Sequence, residues 1–392
     1  MAILQIPKAR KHLRVPSLPR VRNPTTADAR ILLVHPSDVI IAGAGIIGLS
    51  VAMELRRAGA SVTVLDRGEP GREASSAAAG MLVTSDPDTH PAIKPLADAS
   101  AAMYPAFVED IEVRAEINVG YENRGALYVA EDEEELSVPA LRKGESKKLE
   151  PALVEYPSVY LLREQSVDPR LLVQAAAIAA KRMGVVVHHE SRVEGVTLTT
   201  EHHLQVHTAH GLYATATFVN CAGAWAGEIA GAAVPVRPVK GQMLCVIPQK
   251  LALRHVVRSH HVYLLPRHDG RVLIGATVEE AGFDKTVNPT SIQGLHRAAA
   301  RLVPAIGEAR IIEAWAGLRP GSPDGLPILG PASLPGTYAA TGHFRNGILL
   351  APITAALMSE LIQGKTPRIE MNAFHPSRFA KEQERTQIQR KG

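Results

Sequence analysis

Residues 38–48 read Asp38-Val-Ile-Ile-Ala-Gly43-Ala-Gly45-Ile-Ile-Gly48, and this stretch decides the fold. A short apolar run, typical of a buried parallel strand, meets three glycines and continues into an amphipathic helix that ends at Gly59. A second apolar run, Ser61–Leu65, then leads to Asp66. Such a unit lets bare backbone amides approach a pyrophosphate, while the carboxylate suits a ribose hydroxyl. The stretch predicts a site for FAD or NAD, disfavours the 2′-phosphate of NADP, and leaves a glycine turn in another α/β protein as the alternative.

The basic charge of the chain is concentrated at its start. The 392 residues carry a net charge of +4, yet residues 1–37 hold seven Lys or Arg and one Asp, so the remainder is slightly acidic. This segment is interrupted by prolines and contains neither an apolar signal core nor aromatic side chains. We interpret it as a disordered extension or a misplaced start, rather than a targeting or nucleic-acid-binding arm. Nucleic acid is therefore not an expected partner.

Composition and cysteine usage restrict the class of protein further. A hydrophobic content of 46% with 21% charged residues is ordinary for a globular protein, and the length predicts two domains. Cys221 and Cys245 form no C-x-x-C pair, which fits a reducing compartment. The longest apolar stretch, Val39–Met53, is too short to cross a bilayer, and no histidine pair has metal-ligand spacing. We expect a cytoplasmic protein with no metal and no membrane contact.

Two later segments repeat the pattern of an extended run that ends in a small-residue turn. They are 216–225, ending at Trp225, and 336–350, in which a long apolar helix begins at Asn346 or Gly347. Three such turns from distant parts of the chain indicate a cofactor domain assembled from separate segments, which favours FAD over NAD. The free amides of the predicted helix, with Arg345 beside them, would face the flavin atoms that gain negative charge on reduction.

A run of small residues, Ser75-Ser-Ala-Ala-Ala-Gly80-Met81, follows the second predicted strand. One interpretation is a helix start with Ser75 or Ser76 as its cap. The other is a place where a flat isoalloxazine ring lies against backbone, because small side chains leave room for it. The run alone does not distinguish them.

Together these segments resemble the D-amino-acid oxidase superfamily of FAD-dependent oxidoreductases, and most closely its glycine oxidase branch of thiamine biosynthesis. The matching motifs cover nearly the whole chain after residue 37. They are Val39–Gly48, Ser76–Met81, Pro238–Gly241, His261–Tyr263, Pro266-Arg267, Gly275–Thr277, Trp315–Gly321 and Gly342–Pro352.

The resemblance implies an α/β fold with two interleaved domains. We expect a Rossmann-type FAD-binding domain, assembled from residues 38–90, 165–235 and 322–392. A substrate domain with an antiparallel sheet would comprise residues 91–164 and 236–321. Relatives in this branch are commonly tetramers, so the resemblance also implies a homo-oligomer.

The resemblance further implies roles for four side chains at the reacting centre. Arg319 would bind the substrate carboxylate, because a guanidinium makes two parallel charge-assisted hydrogen bonds; the alternative is a surface salt bridge. His261 and Tyr263 alternate along a predicted strand, so both would lie on one face and line the substrate cavity. An exposed sheet face is the alternative for that pair. Arg345 completes the predicted set.

The predicted FAD contacts come from the glycine turn, the acid after the second strand, the small-residue run and the two later turns. They are Gly43, Gly45, Ile46, Ile47, Gly48, Asp66, Arg67, Ala74, Ser75, Ser76, Ala79, Gly80, Met81, Val193, Ala222, Gly223, Trp225, His343, Phe344, Arg345, Asn346, Gly347, Ile348 and Leu349. No cysteine lies in residues 342–352 or near Arg319, so we expect non-covalent FAD.

The implied reaction is oxidative deamination of glycine or another small amino acid, such as sarcosine or a small D-amino acid. Hydride would pass to flavin N5 from the carbon between nitrogen and carboxylate. Dioxygen is the expected acceptor, giving hydrogen peroxide, and the glycine imine would enter thiazole assembly for thiamine. Two alternatives stay open: a D-amino-acid or sarcosine-type oxidase or dehydrogenase of the same fold, and a non-catalytic flavin-binding partner.

Overall fold

A computed structural model describes residues 37–84, 89–130, 136, 138–199, 203–249 and 253–380. The predicted basic extension lies outside these ranges except for Ser37, which opens the first strand. The described strands are β1 Ser37–Ala42, β2 Val62–Leu65, β3 Met81–Leu82, β4 Ala126–Ala130, β5 Ser158–Leu162, β6 Gln165–Ser166, β7 Val186–His188, β8 Val193–Leu198, β9 Leu204–Thr208, β10 Gly211–Asn220, β11 Arg237–Ile247, β12 Val256–Arg258, β13 Tyr263–Pro266, β14 Val272–Gly275, β15 Arg310–Gly321, β16 Ile328–Pro331 and β17 Thr337–Thr341.

The helices in the same ranges are α1 Ile46–Arg57, α2 Ala74–Ala77, α3 Lys94–Ala115, α4 Glu145–Leu149, α5 Pro169–Arg182, α6 Pro289–Leu302 and α7 Gly347–Ile362. Short 3-10 helices occur at Pro91–Ile93, Gly223–Glu228, Pro304–Glu308, Asn372–Phe374 and Pro376–Phe379. Among these described helices, none combines the length and apolar character needed to span a bilayer.

The first sheet is parallel at its centre, in the order β17-β10-β1-β2-β7. β16 adds an antiparallel edge beside β17, and β8 and β9 extend the first half of β10 as a meander. The central strands are buried on both faces, as parallel strands are. Val39 and Ile41 pack with the helices, and Ile40 and Ala42 pack under the meander. The predicted strand–helix–strand unit is confirmed as β1, α1 and β2.

The second sheet has the order β15-β11-β14-β13-β12-β4-β5 and is antiparallel except between β12 and β4. Its longest pairing joins β11 to β15, and α6 packs on one face. This sheet draws its strands from residues 91–164 and 236–321, and the first sheet draws its strands from residues 37–65, 186–220 and 328–341. By contrast, α3 packs beneath the first sheet against α5 and α7. The domain boundaries themselves stay a prediction.

Helix α7 contains Pro352, which has no N–H to donate to the carbonyl of Ile348. The Tyr104 hydroxyl of α3 donates to that carbonyl at 2.9 Å. One turn earlier on α3, the Ser100 hydroxyl donates to the carbonyl of the next α7 residue, Leu349, at 2.6 Å. Side chains of α3 therefore satisfy the first turn of α7, and they hold that turn in place at the site described next.

Candidate active site

A cleft opens where the carboxyl ends of β1, β2, β10 and β17 meet, the place where open parallel sheets bind ligands. Its floor is the glycine turn. Gly43 has φ +104°, and a Cβ there would lie 2.3 Å from the Cys221 carbonyl oxygen. A Cβ on Gly48 would lie 1.9 Å from the Gly43 carbonyl oxygen. Gly43 therefore permits the tight turn, and Gly48 permits α1 to pack against it.

The Asp66 carboxylate orders this turn from the end of β2. Its Oδ2 accepts a hydrogen bond from the Ala44 amide at 2.6 Å, and its Oδ1 accepts one from the Gly68 amide at 2.9 Å. Burial raises the pKa of this carboxyl group, and the two backbone donors oppose that rise. Asp66 lines the cleft, as predicted. Its contact with a ribose stays a prediction.

The small-residue run does not cap its own helix. α2 begins at Ala74 with Glu73 at the N-cap position and no side-chain cap bond, so the interpretation of Ser75 or Ser76 as a cap is wrong. Ser75 lies inside α2, where its hydroxyl accepts a hydrogen bond from the Ile46 amide at 3.0 Å. The physical reason is that the first amides of α1 have no partner within their own helix and attract the nearest acceptor.

The far side of the cleft is built from the two later turns. The Arg67 guanidinium lies 4.2 Å from the ring centroid of Trp225, within cation–π range. Phe344 adopts φ +46°, and its amide donates to the Pro320 carbonyl at 2.9 Å, which ties this turn to the end of β15. α7 begins at Gly347, one of the two predicted starts, and its N-cap residue Asn346 makes no side-chain cap bond. The amides at the start of α7 are therefore available to a ligand.

His343 lines the same cleft and is 2% exposed. Its Nε2 lies 3.0 Å from Thr354 Oγ1, and within the described structure its buried Nδ1 has no hydrogen-bond partner. Burial lowers the pKa of the imidazole to about 3. At neutral pH His343 is uncharged, so it presents a dipole to the cleft.

A second space, the side cavity, adjoins the cleft and lies against the second sheet. It is lined by Ala79, Gly80, Met81, Arg258, His261 and Tyr263, among other residues. The two spaces share four lining residues, which are Ala78, Arg319, Arg345 and Ile348. A ligand in the cleft and a smaller one in the side cavity would meet at these residues.

Tyr263 and His261, two of the predicted substrate contacts, line the side cavity from different elements, a strand and the connection before it. β13 begins at Tyr263, so the prediction that His261 shares its strand is wrong. The chain must reverse between β12 and β13, and His261 lies in that connection. Both side chains nevertheless line the side cavity.

The Tyr263 ring occupies space that a glycine provides. A Cβ on Gly275 would lie 2.3 Å from the Tyr263 hydroxyl oxygen. That hydroxyl donates to the Met243 sulfur at 3.4 Å. Burial raises the pKa of Tyr263, and the charges of Arg319 and Arg345 oppose the rise. The phenol is therefore protonated at neutral pH and remains a donor.

The Arg319 side chain crosses β11 to enter the shared region. Its Nη1 donates to the Thr277 carbonyl at 3.0 Å and the Lys240 carbonyl at 3.3 Å. A Cβ on Gly241 would lie 2.2 Å from that nitrogen, so the guanidinium fits only over a glycine. Burial lowers the pKa of Arg319. Within the described ranges no carboxylate makes an ion pair with it, so its charge is available to an anionic ligand.

The structure brings most of the predicted site residues together. Those lining the cleft are Gly43, Gly45, Ile46, Ile47, Asp66, Arg67, Ala74, Ser75, Val193, Ala222, Gly223, Trp225, His343, Phe344, Arg345, Gly347 and Ile348. Those lining the side cavity include Ala79, Gly80, Met81 and Asn346. Gly48, Ser76 and Leu349 line neither space. Gly48 packs against Gly43, the Ser76 hydroxyl donates to the Gly71 carbonyl, and Leu349 lies in the core.

Sequence reasoning missed the residues that make room for the polar side chains. Gly241, Gly275 and Thr277 lie in quoted motifs, but no role was assigned to them. An isolated glycine inside a strand pattern indicates close approach by another group, and that signal was present at Gly241 and Gly275. The Thr277 carbonyl gave no signal, because any residue type supplies one.

The cleft fits FAD in its donor set and its shape. Gly43 and Gly45 leave backbone bare at the start of α1, the start of α7 supplies further amides, and Asp66 offers an acceptor at one end. Residues from both ends of the described chain line this one space, in agreement with a cofactor site assembled from separate segments. A polar side cavity adjoins its inner end, where a substrate could reach the cofactor.

Fold and site together define a flavin-dependent oxidoreductase. The chain belongs to the DAO family of FAD-dependent oxidoreductases, because residues 38–361 match the sequence profile of that family. It is an FAD-dependent amino-acid oxidase.

Individual relatives agree with this family. The bifunctional protein ThiO/ThiG of Trichormus variabilis is 37% identical over 369 residues, which are 88% of this chain and 55% of that protein. The chain thus spans about half the length of that relative. Glycine oxidase of Pseudomonas aeruginosa is 33% identical over 86% of this chain and 98% of its own length. The crystal structure of glycine oxidase from Geobacillus kaustophilus superposes with a TM-score of 0.84 at 32% identity, over 88% of this chain and 99% of that one.

Proposed function

We propose that this oxidase acts on glycine and other small amino acids or amines, at the carbon between nitrogen and carboxylate. One observation carries the proposal: Arg319 lies where the cleft and the side cavity meet, and in the described structure it pairs with carbonyls rather than a carboxylate. Such a guanidinium suits a carboxylate ligand. Two relatives with full-length coverage are glycine oxidases, which supports a small substrate.

The side chains of the site bind and orient the substrate. Arg319 holds the carboxylate by charge-assisted hydrogen bonds. The protonated Tyr263 hydroxyl, which donates to the Met243 sulfur at 3.4 Å in this structure, turns its single O–H to the substrate in the same cavity. This orientation lowers the barrier by placing the reacting carbon against the cofactor. Held by the residues of the cleft, FAD would supply a two-electron acceptor for the hydride of that carbon, and dioxygen would take up the two electrons as hydrogen peroxide. The substrate leaves as an imine, and water then releases ammonia from it.

Further parts of the proposal concern the cofactor, the product and the assembly. We assign FAD to the cleft without a covalent link. Burial raises the pKa of the Cys221 thiol that lines the cleft and keeps it protonated and unreactive, and Cys245 lines neither space. The imine of glycine is a reactant that thiazole assembly for thiamine can consume, and we propose that use. The tetrameric assembly and the cytoplasmic location stay predictions.

The function is tested by mixing the purified yellow protein with glycine in the absence of oxygen. We expect the visible flavin absorbance to bleach, and peroxide to form when air is admitted. Sarcosine, D-alanine and D-proline in parallel assays, with a dye as competing acceptor, distinguish an oxidase from a dehydrogenase and define the preferred amine. Flavin that no member of this panel reduces would contradict the proposal and favour a non-catalytic flavin-binding protein.

Replacing Arg319 tests the carboxylate assignment. Arg319→Ala should retain FAD and lose about tenfold to hundredfold in kcat/KM for glycine, mainly through KM, because a charge-assisted interaction contributes roughly 1.5–3 kcal/mol. Steady-state peroxide assays measure this. Arg310→Ala, at the exposed start of the same strand, is the matched control. An Arg319→Ala enzyme with the parental KM would show that another group binds the carboxylate.

A further inference from the structure

Residues 77–80, here called the partition, separate the cleft from the side cavity. Ala78 lines both spaces, whereas Ala79 and Gly80 line only the side cavity. Beyond Ala77, the last residue of α2, the partition has no regular structure: Ala78 is extended, and Gly80 has φ +89°. Its backbone polar groups therefore need partners from elsewhere in the molecule.

Two side chains connected to the second sheet hold the partition by its carbonyls. Trp315 Nε1, on β15, donates to the Ala77 carbonyl at 3.0 Å. Arg267 Nη2 donates to the Ala79 carbonyl at 2.7 Å. The other terminal nitrogen of Arg267 donates to the Val167 carbonyl at 3.0 Å. One guanidinium thus bridges the partition and the segment behind it.

The environment of Arg267 indicates a specific use of its donors. The side chain is 8% exposed, and its Nε lies 3.7 Å from Asp168 Oδ2, beyond hydrogen-bond distance. Burial lowers the pKa of Arg267, yet a guanidinium keeps its charge in proteins. Its two short bonds therefore join a buried cation to backbone carbonyls, and such charge-assisted bonds are stronger than neutral ones. A lysine has a single nitrogen and lacks this planar fork.

Each of these donors shares a chain segment with a proposed substrate contact. Trp315 and Arg319 lie four residues apart on β15, hence on the same face of the strand. Arg267 directly follows β13, which begins at Tyr263. The segments that carry Arg319 and Tyr263 into the side cavity therefore also form hydrogen bonds to the partition.

We propose that Arg267 and Trp315 are positioning residues, which fix the partition relative to Arg319 and Tyr263 and so set the approach of substrate to cofactor. The inference rests on the proposed function. Neither side chain needs to touch the substrate. Their effect is geometric: a displacement of about 1 Å in such a site can cost roughly a hundredfold in rate.

The test compares Arg267→Met, Arg267→Lys and Trp315→Phe in the FAD-loaded protein. Arg271→Met is the matched control, because Arg271 lies in the same hairpin turn and pairs with Asp269 away from the partition. The measurements are the anaerobic rate of flavin reduction at saturating glycine, KM for glycine, and the visible circular dichroism of bound FAD. We expect a reduction rate lowered about tenfold to hundredfold in Arg267→Met, a smaller change in KM, and an altered dichroism spectrum. Arg267→Lys and Trp315→Phe should be intermediate, and Arg271→Met parental.

The outcomes separate positioning from general destabilisation. If Arg267→Met does not fold, Arg267→Lys and Trp315→Phe decide the question by the same measurements. Parental reduction rates and dichroism in the folded variants would overturn the proposal. If no amine reduces the parent protein, the proposed function fails, yet the dichroism of bound FAD still tests whether these side chains position the partition.

Discussion

Gly241 has no side chain where the Arg319 guanidinium crosses β11, and that absence shapes the site as much as the arginine does. The same relation holds between Gly275 and the Tyr263 ring. In each pair, a polar side chain from one strand occupies the space that a Cβ on the glycine of the neighbouring strand would fill. The chemistry of the polar residue was readable in the sequence, whereas its dependence on the glycine was not, because the contact joins segments distant in the chain.

Gly241→Ala tests this dependence. The new Cβ would lie 2.2–2.3 Å from three guanidinium atoms, so Arg319 must move. We expect KM for glycine to rise about tenfold or more, with FAD content maintained, since the arginine stays charged but leaves its position. Steady-state kinetics and the visible spectrum measure the two effects. Gly294→Ala, where an added Cβ meets nothing within 4 Å, is the control. Unchanged kinetics in Gly241→Ala would show that the guanidinium position is not critical.

His343 gives the molecule a defined response to acid. Its pKa is lowered from 6.5 to about 3 by burial, so between these values the unfolded chain binds a proton that the folded protein does not. Stability therefore falls as the pH drops through this window, by up to about 1.4 kcal/mol per pH unit for this residue. We expect the free energy of unfolding of His343→Gln to fall less steeply than that of the parent protein as the pH drops through this window. Urea unfolding from pH 7 to pH 4 measures it, and parallel curves for both proteins would contradict the assignment.

Helix α7 shows how one element depends on another. Its apolar length and its start near Asn346 were predictable from the sequence, because a long apolar run after a glycine turn indicates a buried helix. The effect of Pro352 was not, since the carbonyl it leaves unpaired is satisfied by Tyr104 of α3. That partner lies 244 residues away in sequence. Hydrogen bonds of this kind follow from tertiary packing and have no local pattern.

Tyr104→Phe should therefore destabilise the protein. The substitution keeps the ring but leaves the buried Ile348 carbonyl without its donor, at a cost of about 1–3 kcal/mol. Chemical denaturation followed by circular dichroism measures the free energy of unfolding. Tyr156→Phe serves as the comparison, because it removes a long bond of 3.4 Å from the Tyr156 hydroxyl to the Arg301 carbonyl at an exposed position. Equal stability of the two variants would show that water or a shift of α7 satisfies the carbonyl.

At the scale of the whole molecule, the α/β fold, the FAD-dependent class and the assembly of the cleft from separate segments were predictable and are confirmed. Glycine turns after strands are local signals, and a parallel sheet brings its carboxyl ends to one edge. The contacts of the partition and the passage of Arg319 over β11 were not predictable. The first depend on how α2 and the segment after it pack against the second sheet, and the second depends on the pairing of β11 with β15. The roles of the individual site residues and the domain boundaries stay predictions.

Removing FAD tests the assembly of the cleft as a unit. A ligand that binds only the folded protein stabilises it, by about 2.7 kcal/mol at a concentration of one hundred times Kd. We expect the FAD-free protein to melt at a lower temperature, and added FAD to restore the Tm. NADP should not, because we predict that Asp66, which lines the cleft, faces the ribose, where its carboxylate would repel a 2′-phosphate. Thermal scans over a range of FAD concentrations measure this, and a Tm independent of FAD would contradict the assignment of the cleft.

The cleft takes its floor from β1 and its far side from β17 and α7, which lie at opposite ends of the described chain. During synthesis on the ribosome, β1 emerges long before the elements that finish the pocket. A nascent polypeptide halted ahead of β17 lacks the cleft residues between Ala340 and Ile348, including the start of α7. Cofactor uptake is thus expected late in biogenesis, after β2 and β10 have already paired with the hydrophobic first strand.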